Sequence, residues 1–129
     1  MDRPVHRGLR HLALYTRAYN EMKRFYVDHL GFTVEWEPDP DNVYLTSGTD
    51  NLALHRAEAG RVLDSGPLDH LGLVVATADE VDRWAAYFEA HDVPLKAAPR
   101  THRDGARSLY LRDPDGNTIQ ILHHPGVIA

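Results

Sequence analysis

The sequence has 129 residues, of which 43% are hydrophobic and 26% charged, as is typical of one ordinary globular domain. The formal net charge is −5, from 14 Lys and Arg against 19 Asp and Glu, and this acidic balance argues against a nucleic-acid partner. Cysteine is absent, which excludes disulfides, thiolate metal sites and cysteine nucleophiles, and no apolar run approaches the ~20 residues of a membrane span.

The first half of the chain reads as a βαβββ unit. It begins with a strand, HLALYT at 11–16, and a stretch from Ala18 to Leu30 follows with its apolar residues spaced as one face of a helix. Three short β-like segments come next, separated by turns of Asp, Asn, Gly and Pro: Thr33–Glu37, Val43–Ser47 and Asn51–Arg56.

The second half repeats this order. It begins with HLGLVV at 70–75, and a helix from Asp79 to His91 follows, with Thr77 and Glu80 as a capping box at its start. Its β-like segments are Pro94–Ala98, Arg107–Arg112 and Asn117–Leu122. We therefore predict an α+β fold of two βαβββ modules, residues 8–57 and 68–124, joined by a linker at 58–67 within a single domain of residues 8–124.

Alternation along the strands predicts which side chains share a face, because successive strand residues point to opposite sides of a sheet. If the leucines of the two His-Leu-x-Leu strands pack on the helices, then His11 and His70 lie on the concave face, where Ala13 and Gly72 leave room beside them. The isoleucines of the last strand then place Gln120 on the same face. A lone strand histidine is more often structural, but two at equivalent positions of a repeat favour a ligand-binding cavity.

Two longer motifs carry a family resemblance. RFYVDHLGF at 24–32 and SLYLRDPDGNTIQIL at 108–122, together with the paired modules, resemble the vicinal oxygen chelate superfamily. That superfamily includes glyoxalase I, extradiol dioxygenases, methylmalonyl-CoA epimerase, and fosfomycin- and bleomycin-resistance proteins. The resemblance covers about residues 8–124 and implies a glyoxalase/bleomycin-resistance/dioxygenase-type fold with a cup-shaped mixed sheet, in a chain that forms a homodimer.

The resemblance also implies a metal site. In such enzymes the first and last strands of the modules hold a divalent ion, and carried onto this chain the ligands are His11, His70 and Gln120, with Fe, Mn, Zn or Ni as candidates. The family usually has Glu at the last of these positions, and an amide oxygen supplies a dipole where a carboxylate supplies charge. The equivalent position of the first module is Ala53, which cannot ligate. His55 either approaches the cavity or has a structural or surface role.

The segment from His102 to Gln120 is similar to the closing motif of extradiol dioxygenases. That similarity implies two catalytic residues: Tyr110, which holds a substrate oxyanion, and His102, a proton donor or acceptor beside the metal. Two other interpretations stay open. Tyr110 can be a strand aromatic that packs on a neighbour, and His102 a solvated residue of a loop whose arginines form a cationic lip for an acidic substrate.

Two functions follow from these observations. The first is a divalent-metal-dependent enzyme, extradiol-dioxygenase-like (oxidoreductase) or glyoxalase-like (lyase), that acts on a small substrate with vicinal or catechol-like oxygens. The second is a metal-free protein that sequesters a small molecule, as bleomycin-resistance proteins do. The two retained histidines favour the enzyme. We expect no nucleic-acid or membrane partner, and, since the N-terminus lacks the apolar segment of a signal peptide, a cytoplasmic location.

Overall fold

The chain divides into two compact units, Met1–Leu63 (unit 1) and Asp64–Ala129 (unit 2). The computed structural model describes residues 2–4, 7–63 and 68–127. The boundary between the units falls within the segment 58–67 that the sequence predicts as a linker, and residues 64–67 of that segment lie outside the described residues. Among the described residues, no helix has the length and apolarity needed to cross a membrane.

Unit 1 is a four-stranded mixed sheet with one helical segment. Its elements are β1 (His11–Thr16), α1 (Tyr19–Arg24), a π-helical segment (Phe25–His29), β2 (Thr33–Asp39), β3 (Asn42–Thr46) and β4 (Asn51–Arg56). The strand order is β1-β4-β3-β2, with β1 parallel to β4 and the other pairs antiparallel. The helix predicted from Ala18 to Leu30 is therefore present, but its second half is wound as a π-helix in which the neighbours Phe25 and Tyr26 are both buried.

Unit 2 has the same strand order, and this confirms the two βαβββ modules. Its elements are β5 (Leu71–Val74), α2 (Ala78–Ala90), β6 (Leu95–Thr101), β7 (Arg107–Arg112) and β8 (Thr118–His123), arranged as β5-β8-β7-β6. At the start of α2 the Glu80 N–H donates to Thr77 Oγ1 at 3.3 Å. The Glu80 carboxylate accepts from the Ala76 N–H at 2.8 Å, so the capping box closes one residue earlier than the motif predicts.

Each sheet has an apolar face that packs on the helix and an opposite face, which we call the open face. In unit 2 the leucines of β7 and the isoleucines of β8 are at most 1% exposed, whereas Tyr110 and Gln120 between them are half-buried. In β1 the leucines are less exposed than His11. The predicted assignment of faces is confirmed, and it places the polar residues of interest on the open faces.

The Asp-Pro-Asp-Gly turn between β7 and β8 is held by one carboxylate. Asp113 is 4% exposed and accepts from the Asp115 N–H at 3.0 Å, the Asn117 N–H at 2.9 Å and Asn117 Nδ2 at 2.8 Å. Gly116 follows with φ of +88°, in the left-handed region that glycine adopts readily. This motif therefore aligns the two strands that carry Tyr110 and Gln120.

Candidate functional site

Three of the predicted site residues lie together on the open face of unit 2. Gln120 in β8 pairs with Gly72 of β5 on one side and with Tyr110 of β7 on the other. The Gln120 amide nitrogen donates to the Tyr110 hydroxyl at 3.1 Å. The ring of His70, which directly precedes β5, meets the Tyr110 ring edge to face, with centroids 5.8 Å apart and planes at 89°. The strand register thus joins an imidazole, a phenol and an amide in one cluster.

The hydrogen bond between Gln120 and Tyr110 leaves the amide oxygen available as an acceptor and the phenol hydrogen available as a donor. Because the amide nitrogen makes the contact with Tyr110, the Gln120 Oε1 atom takes no part in it. This oxygen has no hydrogen-bond partner in the described part of the chain. The Tyr110 hydroxyl hydrogen likewise has no acceptor in the ranges described. Gly72 keeps the space beside them open, since a Cβ there would lie 4.0 Å from Gln120 Oε1 and 3.1 Å from Leu122 Cδ2.

His70 is oriented by the carboxylate that precedes it. Its Nδ1 atom lies 2.6 Å from Asp69 Oδ2, and an ionised carboxylate can only accept, so Nδ1 carries the hydrogen. The neutral imidazole then has its lone pair on Nε2, the arrangement that carboxylates impose on many metal-binding histidines.

His11 in unit 1 is oriented in the same way through an amide. Its Nδ1 atom lies 2.8 Å from Asn51 Oδ1. Asn51 donates from Nδ2 to Glu35 Oε2 at 3.2 Å, which turns the amide oxygen towards the imidazole. His11 Nδ1 therefore donates, and Nε2 again carries the lone pair. Each unit thus presents one histidine whose neutral ring has its lone pair on Nε2.

The donor set fits a divalent metal ion in its chemistry. Two imidazole nitrogens and an oxygen donor are ligands that Fe, Mn, Zn and Ni accept. Among the residues that the structure describes, no three or more His, Cys, Asp or Glu side chains are grouped to hold a metal. The predicted ligand set has only two residues of these types, because its third member is a glutamine. It draws His11 from unit 1 and the other two from unit 2, and it stays a prediction.

Strand pairing confirms the predicted equivalence of Ala53 and Gln120. Ala53 pairs with Ala13 in unit 1 as Gln120 pairs with Gly72 in unit 2. Ala53 is fully buried and carries no ligand atom. His55, two residues further along β4, is held by Asn42, whose Oδ1 lies 2.6 Å from His55 Nδ1.

His55 belongs to an aromatic cluster on the open face of unit 1. Its ring lies 6.0 Å from that of Tyr15 and 5.9 Å from that of Tyr44. Trp36 stacks on Tyr44 with centroids 5.3 Å apart and an angle of 19° between the planes. Trp36 and Tyr15 remain 58% and 48% exposed, so this cluster is an accessible aromatic surface.

His102 lies against a serine of β7. Its Nε2 atom is 2.7 Å from Ser108 Oγ, and its Nδ1 atom is 3.3 Å from Arg100 Nη2. A guanidinium can only donate, so Nδ1 accepts and the neutral ring donates from Nε2 to Ser108. Both ring nitrogens are therefore engaged, and Ser108 lies two residues from Tyr110 on β7. The proton-transfer role predicted for His102 stays a prediction.

Sequence reasoning missed the side chains that orient these imidazoles. They are Asp69 and Asn51, whose hydrogen bonds set the tautomers of His70 and His11, and Ser108, which contacts the Nε2 atom of His102. Their signal lies in the register: Asn51 is the parallel-strand partner of His11, and Ser108 is the partner of Arg100. Asp69 is simply adjacent in the chain.

Comparison with known proteins agrees with this architecture. The profile of the Glyoxalase/Bleomycin resistance protein/Dioxygenase superfamily matches residues 8–121. Biphenyl-2,3-diol 1,2-dioxygenase 3 of Rhodococcus globerulus is 28% identical over 120 residues, which are 88% of this chain and 61% of that protein, so the chain spans about three-fifths of its length. The structure of lactoylglutathione lyase from Agrobacterium tumefaciens shares the fold at a TM-score of 0.75 and 24% identity, covering 90% of this chain and 92% of that one. A glyoxalase/bleomycin resistance protein/dioxygenase from Alicyclobacillus acidocaldarius shares it at 0.71 and 22%, covering 92% of each chain. The chain belongs to the glyoxalase/bleomycin resistance protein/dioxygenase superfamily.

Proposed function

We propose that this chain is a divalent-metal-dependent enzyme that acts on a small substrate with vicinal or catechol-like oxygens. The observation that carries the proposal is the contact that each of the two histidines makes through its Nδ1 atom. His70 is held through Nδ1 by Asp69, and His11 through Nδ1 by Asn51, so both keep Nε2 for a metal. With Gln120 Oε1 as the oxygen donor, these side chains would hold Fe, Mn, Zn or Ni.

In this proposal the ion and the phenol of Tyr110 would both stabilise negative charge on a substrate oxygen. A bound divalent ion polarises oxygen ligands and stabilises negative charge on them. Because all three protein ligands are neutral, an anionic substrate oxygen is favoured. Tyr110 accepts from Gln120 and donates its own hydrogen to the substrate oxyanion, as a fixed donor aimed at developing charge. His102, whose Nε2–H donates to Ser108 Oγ, is proposed as the proton donor or acceptor.

The named substrate of the Rhodococcus relative is a vicinal diol, which supports extradiol-type oxidation of a catechol as the first reaction to test. Lyase chemistry of the lactoylglutathione type is the second reaction within this class. We propose further that residues 8–124 work as one domain, in a cytoplasmic homodimer, and light scattering that gives twice the monomer mass would support the dimer.

A metal-free sequestering protein is the second candidate function. The stacked pair of Trp36 and Tyr44 favours it, since an accessible aromatic surface suits stacking against a planar ligand. This candidate needs no metal ligands, so metal binding separates the two functions.

The deciding experiment is elemental analysis of the purified protein, followed by calorimetric titration of metal-free protein with Mn²⁺ and Zn²⁺. We expect micromolar binding that His70→Ala weakens by about tenfold or more. His91→Ala is the matched control, because His91 is exposed at the end of α2 and contacts the Tyr87 carbonyl. If neither ion binds, the metalloenzyme proposal fails. If metal binds, oxygen uptake with catechol distinguishes the dioxygenase from the lyase.

A further inference from the structure

The end of β6 and the loop that follows it form a basic pocket on unit 2. The pocket has a volume of about 590 Å³ and is lined by Arg100, His102, Arg103 and Asp104. It is open to solvent, and both arginines are exposed. Ser108, which holds His102, lies on the same strand as Tyr110, two residues away.

Arg100 and Arg103 lack the carboxylate partner that the neighbouring Arg107 has within the described residues. Arg107 is neutralised by Asp82 through contacts of 2.7 and 3.0 Å. Arg100 and Arg103 pair with no carboxylate within residues 2–4, 7–63 and 68–127. Arg100 instead donates to the neutral ring of His102. Two guanidinium charges are therefore left to face the solvent of the pocket.

Arg100 is also held in place before any ligand arrives. Arg100 and Ser108 are register partners on β6 and β7, and His102 bridges them with contacts of 3.3 Å to the guanidinium and 2.7 Å to the hydroxyl. Ser108 is 1% exposed beneath the imidazole. A side chain that is already fixed loses less conformational entropy when it binds an anion.

The carboxylate of Asp104 lies in the same pocket but is already engaged. It accepts from the Ala106 N–H at 2.9 Å and lies 3.3 Å from His124 Nε2. The backbone hydrogen bond from Ala106, with His124 nearby, holds the pKa of Asp104 below its usual range. The pocket thus contains two guanidinium groups and one ionised carboxylate, and its balance remains positive.

We propose that Arg100 and Arg103 form a subsite for an oxyanion substituent, a carboxylate or a phosphate, with His102 as its positioning residue. Planar guanidinium groups bind such oxyanions through paired, charge-assisted hydrogen bonds. Ser108, which contacts His102, and Tyr110 are two residues apart on β7, a separation of about 7 Å along a strand. The assignment to a substrate rests on the proposed function, because the same molecule then reaches Tyr110 with its reacting oxygen and this subsite with its anionic group.

The test uses metal-free protein, isotopically labelled and titrated with inorganic phosphate and, separately, with acetate at constant ionic strength. The arginine Nε–H and His102 ring signals should shift saturably, with a half-saturation point in the low millimolar range for at least one anion. Saturation by phosphate indicates a phosphate substituent, and saturation by acetate indicates a carboxylate.

Substitutions locate the effect. Arg100→Gln/Arg103→Gln should weaken anion binding by about tenfold or more, whereas Arg83→Gln, on the exposed side of α2, should bind as the parent does. If the double variant does not fold, Arg103→Gln alone should still weaken binding. Non-saturable shifts at tens of millimolar, or equal losses in the Arg83 control, overturn the subsite.

The two proposals fail separately. Anion binding is measured without metal, so the subsite stands if phosphate saturates it even when no metal binds. If metal binds and neither anion does, the subsite fails and the metalloenzyme proposal remains.

Discussion

Replacement of Gln120 by glutamate should strengthen metal binding and weaken the oxyanion contact of Tyr110 at the same time. In the parent protein the Gln120 amide nitrogen donates to the Tyr110 hydroxyl at 3.1 Å. A carboxylate has no hydrogen to donate, so the phenol must turn its own hydrogen towards the new glutamate. The hydrogen that we propose Tyr110 donates to a substrate is then occupied within the protein.

The gain in metal affinity follows from the added charge. Two unit charges 4 Å apart interact by about 1 kcal/mol in water and about 4 kcal/mol at an effective dielectric constant of 20. A carboxylate in contact with a divalent ion exceeds the lower value, while its desolvation at a half-buried position offsets part of the gain. We therefore expect about 1.4 kcal/mol or more, which lowers the Kd for Mn²⁺ by about tenfold or more.

Calorimetric titration of metal-free Gln120→Glu with Mn²⁺ measures this gain. Thr118→Glu is the matched control, because it adds the same charge to the same face of β8, beside Lys96. Equal gains in metal affinity in both variants would show that the added negative charge acts at a distance and not as a ligand. No gain in Gln120→Glu would refute the assignment of Gln120 as a ligand. At saturating metal, Gln120→Glu should bind 4-nitrocatechol more weakly than the parent, and unchanged binding would refute the role of Tyr110.

Two further predictions concern stability. Asp113→Ala should lower the free energy of unfolding by about 1.5–3 kcal/mol, because its carboxylate accepts hydrogen bonds from three turn N–H groups, whereas Asp115→Ala should change it by less than about 0.5 kcal/mol. Urea unfolding measures both variants, and similar losses would contradict the prediction. Burial and the hydrogen bond to Glu37 raise the pKa of Tyr19 above its ordinary value of 10.0, so the unfolded chain ionises this phenol first. The stability of the parent relative to Tyr19→Phe should therefore be complete below about pH 10 and decline above it, and a pH-independent difference in urea midpoints would contradict this.

The fold was predictable because turn chemistry and hydrophobic period mark its elements. The strands Asn51–Arg56 and Arg107–Arg112 were predicted to the residue, since turns flank them on both sides. The prediction for β6 ended at Ala98, before Pro99, but the strand runs from Leu95 to Thr101. β6 is the edge of its sheet and its register with β7 is irregular, and an edge strand tolerates a residue that cannot donate to the ladder.

The site was predictable in its faces but not in its hydrogen bonds. Alternation placed Tyr110 and Gln120 on one face, because that placement depends on the backbone alone. The tautomer of His11 depends on Asn51, forty positions away in the chain and adjacent through the β1–β4 register. Likewise, His102 was expected as either a proton-transfer residue or a solvated loop residue. The register of β6 and β7 brings it onto Ser108.

Gln120 has a second role besides the proposed metal ligation, because it contacts Tyr110. Judged as a metal ligand alone, an amide in place of a carboxylate loses charge and weakens the site. The same amide donates to the phenol oxygen and so leaves the phenol hydrogen available, which a glutamate cannot do. The proposed ligand set is neutral and would leave a divalent ion its full charge, and Arg100 and Arg103 carry charges that no described carboxylate neutralises. Each of these features favours negative charge on the bound molecule, so an anionic substrate should gain more from this chain than a neutral analogue of equal size.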